Sequence, residues 1–186
     1  MPRRVLDQYE TPPHYVQPLL TLIGPLTGLR VYEPCVGQGH ISRYLTDVGD
    51  LRTNDIDPAC PADTHLDART PEAWQDGPSI HKPWDWTITN PPFSDALAIL
   101  AHALANSRHV AILARLSFLE PTRSRATFWR QHPPTDLIVL PRYSFRRNDL
   151  NRLQTDSVTC CWLVFRAGRN PCVQFSLWRP SASEAA

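Results

Sequence analysis

Between residues 31 and 48 a short apolar run, Val31-Tyr32, passes into Glu33-Pro34, then into a turn holding Gly37 and Gly39. Ile41, Tyr44, Leu45 and Val48 follow. These four fall at i, i+3, i+4 and i+7, one face of a helix, which predicts a helix over 38–48. A strand, a glycine turn and a helix in that order open an α/β sheet.

The rest of the chain continues the alternation. Leu51 to Asn54 reads as a second strand that stops at Asp55-Ile56-Asp57-Pro58. Residues 58–83 are rich in Pro and Asp, with at most a short strand near His65-Leu66 and one helical turn near Trp74. Trp84 to Thr89 is strand, and Ser94 caps a helix through Ala105 with the stripe Leu97, Leu100, Ala101 and Leu104. Val110 to Leu113 is strand, Thr122 to Gln131 helix, Leu137 to Leu140 strand and Val158 to Phe165 a long β-rich run. Val173 to Trp178 adds a last strand. The expected fold is α/β, with a mostly parallel sheet, helices on both faces and ligands at the carboxyl ends of the strands.

A chain of 186 residues holds one domain, expected over 1–180 with a flexible tail at 181–186. With 42% apolar and 20% charged residues, wholesale disorder is excluded. No apolar run approaches ~18 residues and the N-terminus lacks the apolar stretch of a signal peptide, so a cytoplasmic protein without membrane contact is expected. The five cysteines show no two-residue spacing and are read as reduced thiols. The seven histidines lack i, i+4 pairing, and no metal is expected.

Two glycines bring backbone close to a ligand at a turn, but the acidic Glu33 is a poor neighbour for pyrophosphate. A ligand with positive charge, such as a sulfonium cofactor, suits it better. Asp55, at the end of the second strand, stands where a carboxylate holds ribose hydroxyls in nucleoside-binding α/β folds. An ordinary turn with solvated carboxylates uses the same residues.

Thr87-Ile88-Thr89 leads into Asn90-Pro91-Pro92-Phe93. Paired prolines fix the backbone and leave carbonyls without a local N–H competitor. The Asn90 side-chain oxygen and the Pro91 carbonyl can both accept from one planar NH2 group, while Phe93 stacks on the ring that bears it. That suits methyl transfer to a delocalised nitrogen, where position and polarisation replace a strong base. A plain Pro-Pro turn with a buried Phe is the alternative.

Charge is uneven. Residues 1–100 hold seven basic and thirteen acidic side chains, and 101–186 hold twelve and five, with Lys82 the only lysine. Eight arginines lie between 115 and 152, interleaved with Phe118, Phe128, Trp129, Tyr143 and Phe145. Arginine's planar fork suits phosphate and base edges, so this half points to nucleic acid; arginines snorkelling over a surface helix would look the same.

With these motifs in place, the chain resembles S-adenosylmethionine-dependent amino-methylating DNA methyltransferases, above all the small adenine-N6 type of phages and prophages. The matching segments are Asp7 to Pro12, Glu33 to Gly39, Asn54 to Pro58 and Asp85 to Phe93, with weaker likeness at 114–119, 140–145 and 155–157. The resemblance implies a Rossmann-like class I methyltransferase fold with a seven-stranded sheet and S-adenosylmethionine as cofactor. Tyr9, Thr11 and Pro12 would close over its methionine end, Asp55 would bind its ribose and Asp67 its adenine amine. Glu33, Pro34, Cys35, Gly37, Gly39, Ile56 and Asn90 complete the implied cofactor set. Asn90, Pro91, Pro92 and Phe93 would be catalytic.

The acceptor would meet Phe93, Arg115, Arg142, Arg146 and Arg147, with DNA as partner and a monomer or weak dimer as the working form. A flipped-out base costs roughly a few kcal/mol, which arginines on phosphate offset. Larger relatives carry a target-recognition domain for which this chain has no room. A protein glutamine amide or an RNA guanine amine are alternative acceptors, and a non-catalytic cofactor- or nucleic-acid-binding module is the alternative of another class.

Overall fold

The computed structural model describes residues 11–75, 83–122, 125–141 and 159–175. Tyr9, Arg142, Arg146, Arg147 and the tail 181–186 lie outside the described residues.

Among the described residues six strands form one sheet: β1 (Arg30–Glu33), β2 (Asp50–Thr53), β3 (Trp84–Thr89), β4 (Ser107–Arg115), β5 (Asp136–Val139) and β6 (Cys160–Arg166), in the order β2-β1-β3-β4-β6-β5. β1 to β4 are parallel, and β6 runs antiparallel to both β4 and β5. The seventh strand is not found among the described residues. Val173 to Phe175 carries no strand, and Phe175 stacks on Trp129 at 5.6 Å between ring centroids.

Among the described residues three helices cover the sheet: α1 (Pro13–Ile23), α2 (Ala96–Asn106) and α3 (Ala126–Gln131). Side chains along a strand alternate between faces, and β4 shows the result. Val110, Ile112 and Ala114 pack with Ile99, Leu100 and Ala103 of α2 and Trp129 of α3. Ala111 and Leu113 pack with Tyr15, Val16 and Leu19 of α1. Because β4 is buried on both sides, its apolar run is continuous, as central parallel strands require. α2 begins one residue later than expected for a Ser94 cap, with Asp95 at the cap and no side-chain cap bond.

α1 carries the helical spacing Val16, Leu19, Leu20 and Ile23, at i, i+3, i+4 and i+7, but Pro18 in its interior removes an internal donor and argues against a helix there. Tertiary contacts hold the helix instead. The buried Trp162 indole N–H donates to the Tyr15 carbonyl at 2.7 Å, and the Tyr15 hydroxyl donates to the Pro141 carbonyl at 2.5 Å. Pro13 at the first helical position and Gly24 at its end, φ 80°, delimit it.

The helix predicted over 38–48 is corrected to a single 3-10 turn, Ser42–Tyr44. Ile41 and Leu45 are buried as the periodicity requires, but Tyr44 and Leu45 bond back to Ile41 and Ser42, three residues away. Gly39 has φ 73°, and a Cβ on Gly49 would lie 2.6 Å from the Gly28 carbonyl carbon and oxygen. Gly39 and this close glycine contact bracket the segment and leave room for one turn before β2.

Candidate active site

β2 lies on one side of β1 and β3 on the other, so the chain reverses its direction of travel across the sheet between β1 and β3. In open α/β sheets ligands bind at the carboxyl ends of the strands at such a switch point. Glu33 ends β1, Asn54 and Asp55 follow β2, Asn90 follows β3 and Arg115 ends β4.

The glycine turn is stitched to the loop after β2. Val36 N–H donates to the Asn54 carbonyl and Asn54 N–H to the Glu33 carbonyl, each at 2.9 Å. Gly37, φ 53°, donates its N–H to one Asp55 carboxylate oxygen at 2.8 Å, and Asp57 N–H donates to the other at 2.9 Å. A carboxylate has about four lone-pair directions, so each oxygen retains capacity for a further donor. The half-buried Asp55 is thereby aimed by backbone on both sides, and Ile56 beside it is 47% exposed.

Asn54 is the residue whose importance the motif reading did not single out. It is fully buried, donates its side-chain amide to the Pro34 and Leu66 carbonyls, and accepts from Thr64 Oγ1 and Leu66 N–H. All four side-chain hydrogen-bonding directions are used, which fixes three loops at once. An Asn flanked by a strand and an acidic loop is the one signal a sequence offers for this.

Glu33 is not the exposed anion its sequence position suggests. It is 1% exposed, and burial drives its carboxyl well above the ordinary range, so it is neutral, with Ser42 donating to it. Its Oε2 is buried without a hydrogen-bond partner among the described residues. Taking the carboxyl out of water disfavours its charge, and the nearby Asp55 adds to that. Cys35 follows the same logic: burial and the Asp55 charge hold its thiol protonated.

Asp67 is engaged with Arg69, which donates from its guanidinium at 2.6 Å, from Nε at 2.9 and 3.1 Å and from its own N–H at 2.9 Å. Hydrogen bonds from Arg69 hold the Asp67 carboxyl below the usual range. An amine arriving at Asp67 therefore shares it with a bound guanidinium.

Asn90 donates its side-chain amide to Thr11 Oγ1 at 3.0 Å, across 79 residues of sequence, and Thr11 is 3% exposed. Pro12 is buried beside it and opens α1. The Pro92 carbonyl is used by Asp95 N–H at 3.0 Å, whereas no donor among the described residues is paired with the carbonyl of the buried Pro91. Phe93 is half-buried, with the Arg115 guanidinium 4.7 Å above its ring centroid. Phe93 and Arg115 line a cleft of about 360 Å³ together with Ser94, Ser117, Phe118, Glu120 and Arg125. The structure thus brings together Thr11, Asn90, Pro91, Phe93 and Arg115, and separately Gly37 with Asp55.

Among the described residues no group of three or more His, Cys, Asp or Glu side chains could hold a metal, and no helix is long and apolar enough to cross a membrane. No protein-family model matches the chain, and no curated protein matches its sequence. Solved structures do match. A candidate RNA methyltransferase of Pyrococcus horikoshii superposes with a TM-score of 0.58 at 19% identity, covering 89% of this chain and 90% of that one. A 23S rRNA methyltransferase gives 0.59 at 14% identity over 90% of this chain and 73% of its own. A modification subunit of a candidate type I restriction enzyme from Vibrio vulnificus gives 0.59 at 13% identity, over 84% of this chain and 44% of that one. The chain has the Rossmann-like fold of class I methyltransferases.

Proposed function

We propose that this chain transfers a methyl group from S-adenosylmethionine to the exocyclic N6 amine of adenine in DNA. The observation that carries it is Asn90: on a proline-fixed loop at the end of β3, its amide nitrogen is tied to Thr11, which turns its oxygen the other way.

The residues fit the cofactor. Space around Gly37 is open, with nothing within 4 Å of where a Cβ would be, so a ligand can approach the backbone there. Asp55, oriented by two backbone donors, keeps lone pairs for ribose hydroxyls, and the exposed Ile56 offers an apolar surface to the base. In this reading Thr11 and Pro12, beside Asn90, and Pro34, Cys35 and Gly39, in the turn after β1, would also contact the cofactor, and Asp67 would share its carboxylate between Arg69 and an adenine amine. Glu33, neutral and buried, forms the floor rather than a counter-charge. When bound, the cofactor supplies a methyl on a sulfonium sulfur, so transfer forms one N–C bond, breaks one S–C bond and leaves a neutral thioether.

The protein's own residues prepare the nitrogen. Asn90 Oδ1 and the Pro91 carbonyl accept the two amine N–H groups, which draws the lone pair out of the ring's conjugation. The amine loses one proton to solvent, and Cys35, held protonated, does not compete as a nucleophile. Phe93 supplies the stacking surface and Arg115 the positive charge at the acceptor's side of the cleft. Arg142, Arg146 and Arg147 add charge for the phosphate backbone in the same reading.

A second reading keeps the chemistry and changes the acceptor to an RNA amine. It is supported by two of the matching structures, which are described as RNA methyltransferases, whereas the third belongs to a restriction-modification system. Incubation with methyl-tritiated cofactor and DNA, RNA or lysate protein tests both. Label is expected in DNA; label in RNA alone selects the second reading, and label in protein alone overturns both.

A further inference from the structure

The acceptor side of the cleft holds an aromatic ring that is already covered. Phe93 packs against the core cluster built on α1, and the Arg115 guanidinium lies over the ring. Arg115 Nε is buried and has no hydrogen-bond partner among the described residues. A buried unpaired donor is unfavourable, so this side chain rests where its donors are poorly served. Arg125, on the same cleft, is different. Its guanidinium donates to the Ser117 and Phe118 carbonyls, and its Nε donates to Thr122 Oγ1. Of the two, Arg115 is the one with a buried donor left unpaired among the described residues.

A guanidinium is flat, delocalised and able to stack on an aromatic face, as a nucleobase does. We propose that Arg115 is a place-holder for the acceptor ring: it occupies the face of Phe93 on which a planar base stacks, is displaced by that base, and then pairs with a phosphate of the acceptor strand. The inference rests on the functional reading above and adds a positioning residue to it. A planar fork released from an aromatic face finds in phosphate the partner whose geometry it matches best. The cleft then opens only when its occupant brings both a ring and an anion.

The test uses the full chain with the cofactor site saturated by S-adenosylhomocysteine, and measures binding of adenosine and of a short oligodeoxynucleotide. A cation–π contact between half-buried groups is worth at least roughly a two- to fivefold change in an equilibrium constant, so Arg115→Ala should bind adenosine at least about two- to fivefold tighter than wild type. It should bind the oligonucleotide about tenfold more weakly, with a salt dependence lower by about one phosphate contact. In transfer assays the loss should fall on KM more than on kcat. Arg115→Lys keeps the charge without the flat fork, so it should restore oligonucleotide binding to within a few fold of wild type while keeping the tighter adenosine binding.

A merely structural Arg115 would move both ligands together and would not be separated by lysine. Retained S-adenosylhomocysteine affinity reports an intact fold; if Arg115→Ala loses it, Arg115→Lys decides alone. Adenosine binding unchanged or weakened in the intact variants overturns the proposal, even with a wild type that methylates DNA. A wild type that transfers methyl to no nucleic acid overturns the functional reading and this inference with it.

Discussion

The side-chain amide of Asn90 and the hydroxyl of Thr11, 79 residues apart in sequence, meet at 3.0 Å and join the loop after β3 to the entry of α1. This bond sets the direction of Asn90. Removing its acceptor frees the amide to rotate while leaving the proline loop in place. Thr11→Val should lower kcat about fivefold, the scale of one neutral hydrogen bond of about 1 kcal/mol, and Thr11→Ser should recover most of it. Steady-state methyl-transfer kinetics read the difference.

Asn54 makes four side-chain hydrogen bonds in a fully buried position. Asn54→Ala leaves the Pro34 and Leu66 carbonyls and the Leu66 N–H without that partner. The expected cost is about 2–4 kcal/mol, as unsatisfied buried groups accumulate. Urea unfolding should show a lower midpoint with an unchanged slope.

Gly37 and Gly49 should respond differently to alanine. Gly37 has φ 53° with open space around it, so Gly37→Ala costs about 1–2 kcal/mol of backbone strain and weakens cofactor binding. A Cβ on Gly49 would meet Gly28 backbone atoms at 2.6–2.8 Å, so Gly49→Ala must displace β2 from β1 and should cost more, about 3 kcal/mol. Thermal unfolding ranks the two, and a larger shift for Gly37→Ala would contradict the packing of the two glycines.

Glu33 makes the protein's stability sensitive to alkali. Unfolded, the carboxyl releases its proton as pH rises through 4.5; folded, burial makes it keep that proton. Above 4.5 the native state therefore binds more protons and stability falls with rising pH, by at most about 1.4 kcal/mol per unit, until the native carboxyl titrates. Glu33→Gln removes this slope. Its stability relative to wild type should increase as pH rises above 4.5, up to the pH at which the folded carboxyl titrates, in urea titrations; a constant difference would show that Glu33 is charged in the fold. Asp67 and Asp136, held below 3.8, act in the opposite sense in acid and cancel in the comparison.

The strand positions were legible from residues such as Val31, Ile88 and Ile112, because central parallel strands leave continuous apolar runs. So was the placement of Gly37, Asp55 and Asn90 just beyond the carboxyl ends of β1, β2 and β3. Three things were not. α1 has helical spacing at Val16, Leu19, Leu20 and Ile23, but the interior Pro18 argues against it, and the contact that holds it, from Trp162 to Tyr15, spans 147 residues. The turn at Ser42–Tyr44 keeps helical burial while Tyr44 and Leu45 bond three residues back rather than four, a difference that periodicity does not encode. The burial of Glu33 depends on what packs over it, and a local motif shows only that an acid is present.

The central claim is that Asn90 prepares a planar exocyclic amine on a nucleobase. Nucleoside mass spectrometry of DNA incubated with the protein and S-adenosylmethionine tests it most directly, with Asn90→Ala alongside at matched cofactor occupancy. N6-methyldeoxyadenosine should form with wild type and be absent with Asn90→Ala. DNA bearing no methylated amine, or equal product from the variant, would contradict the account.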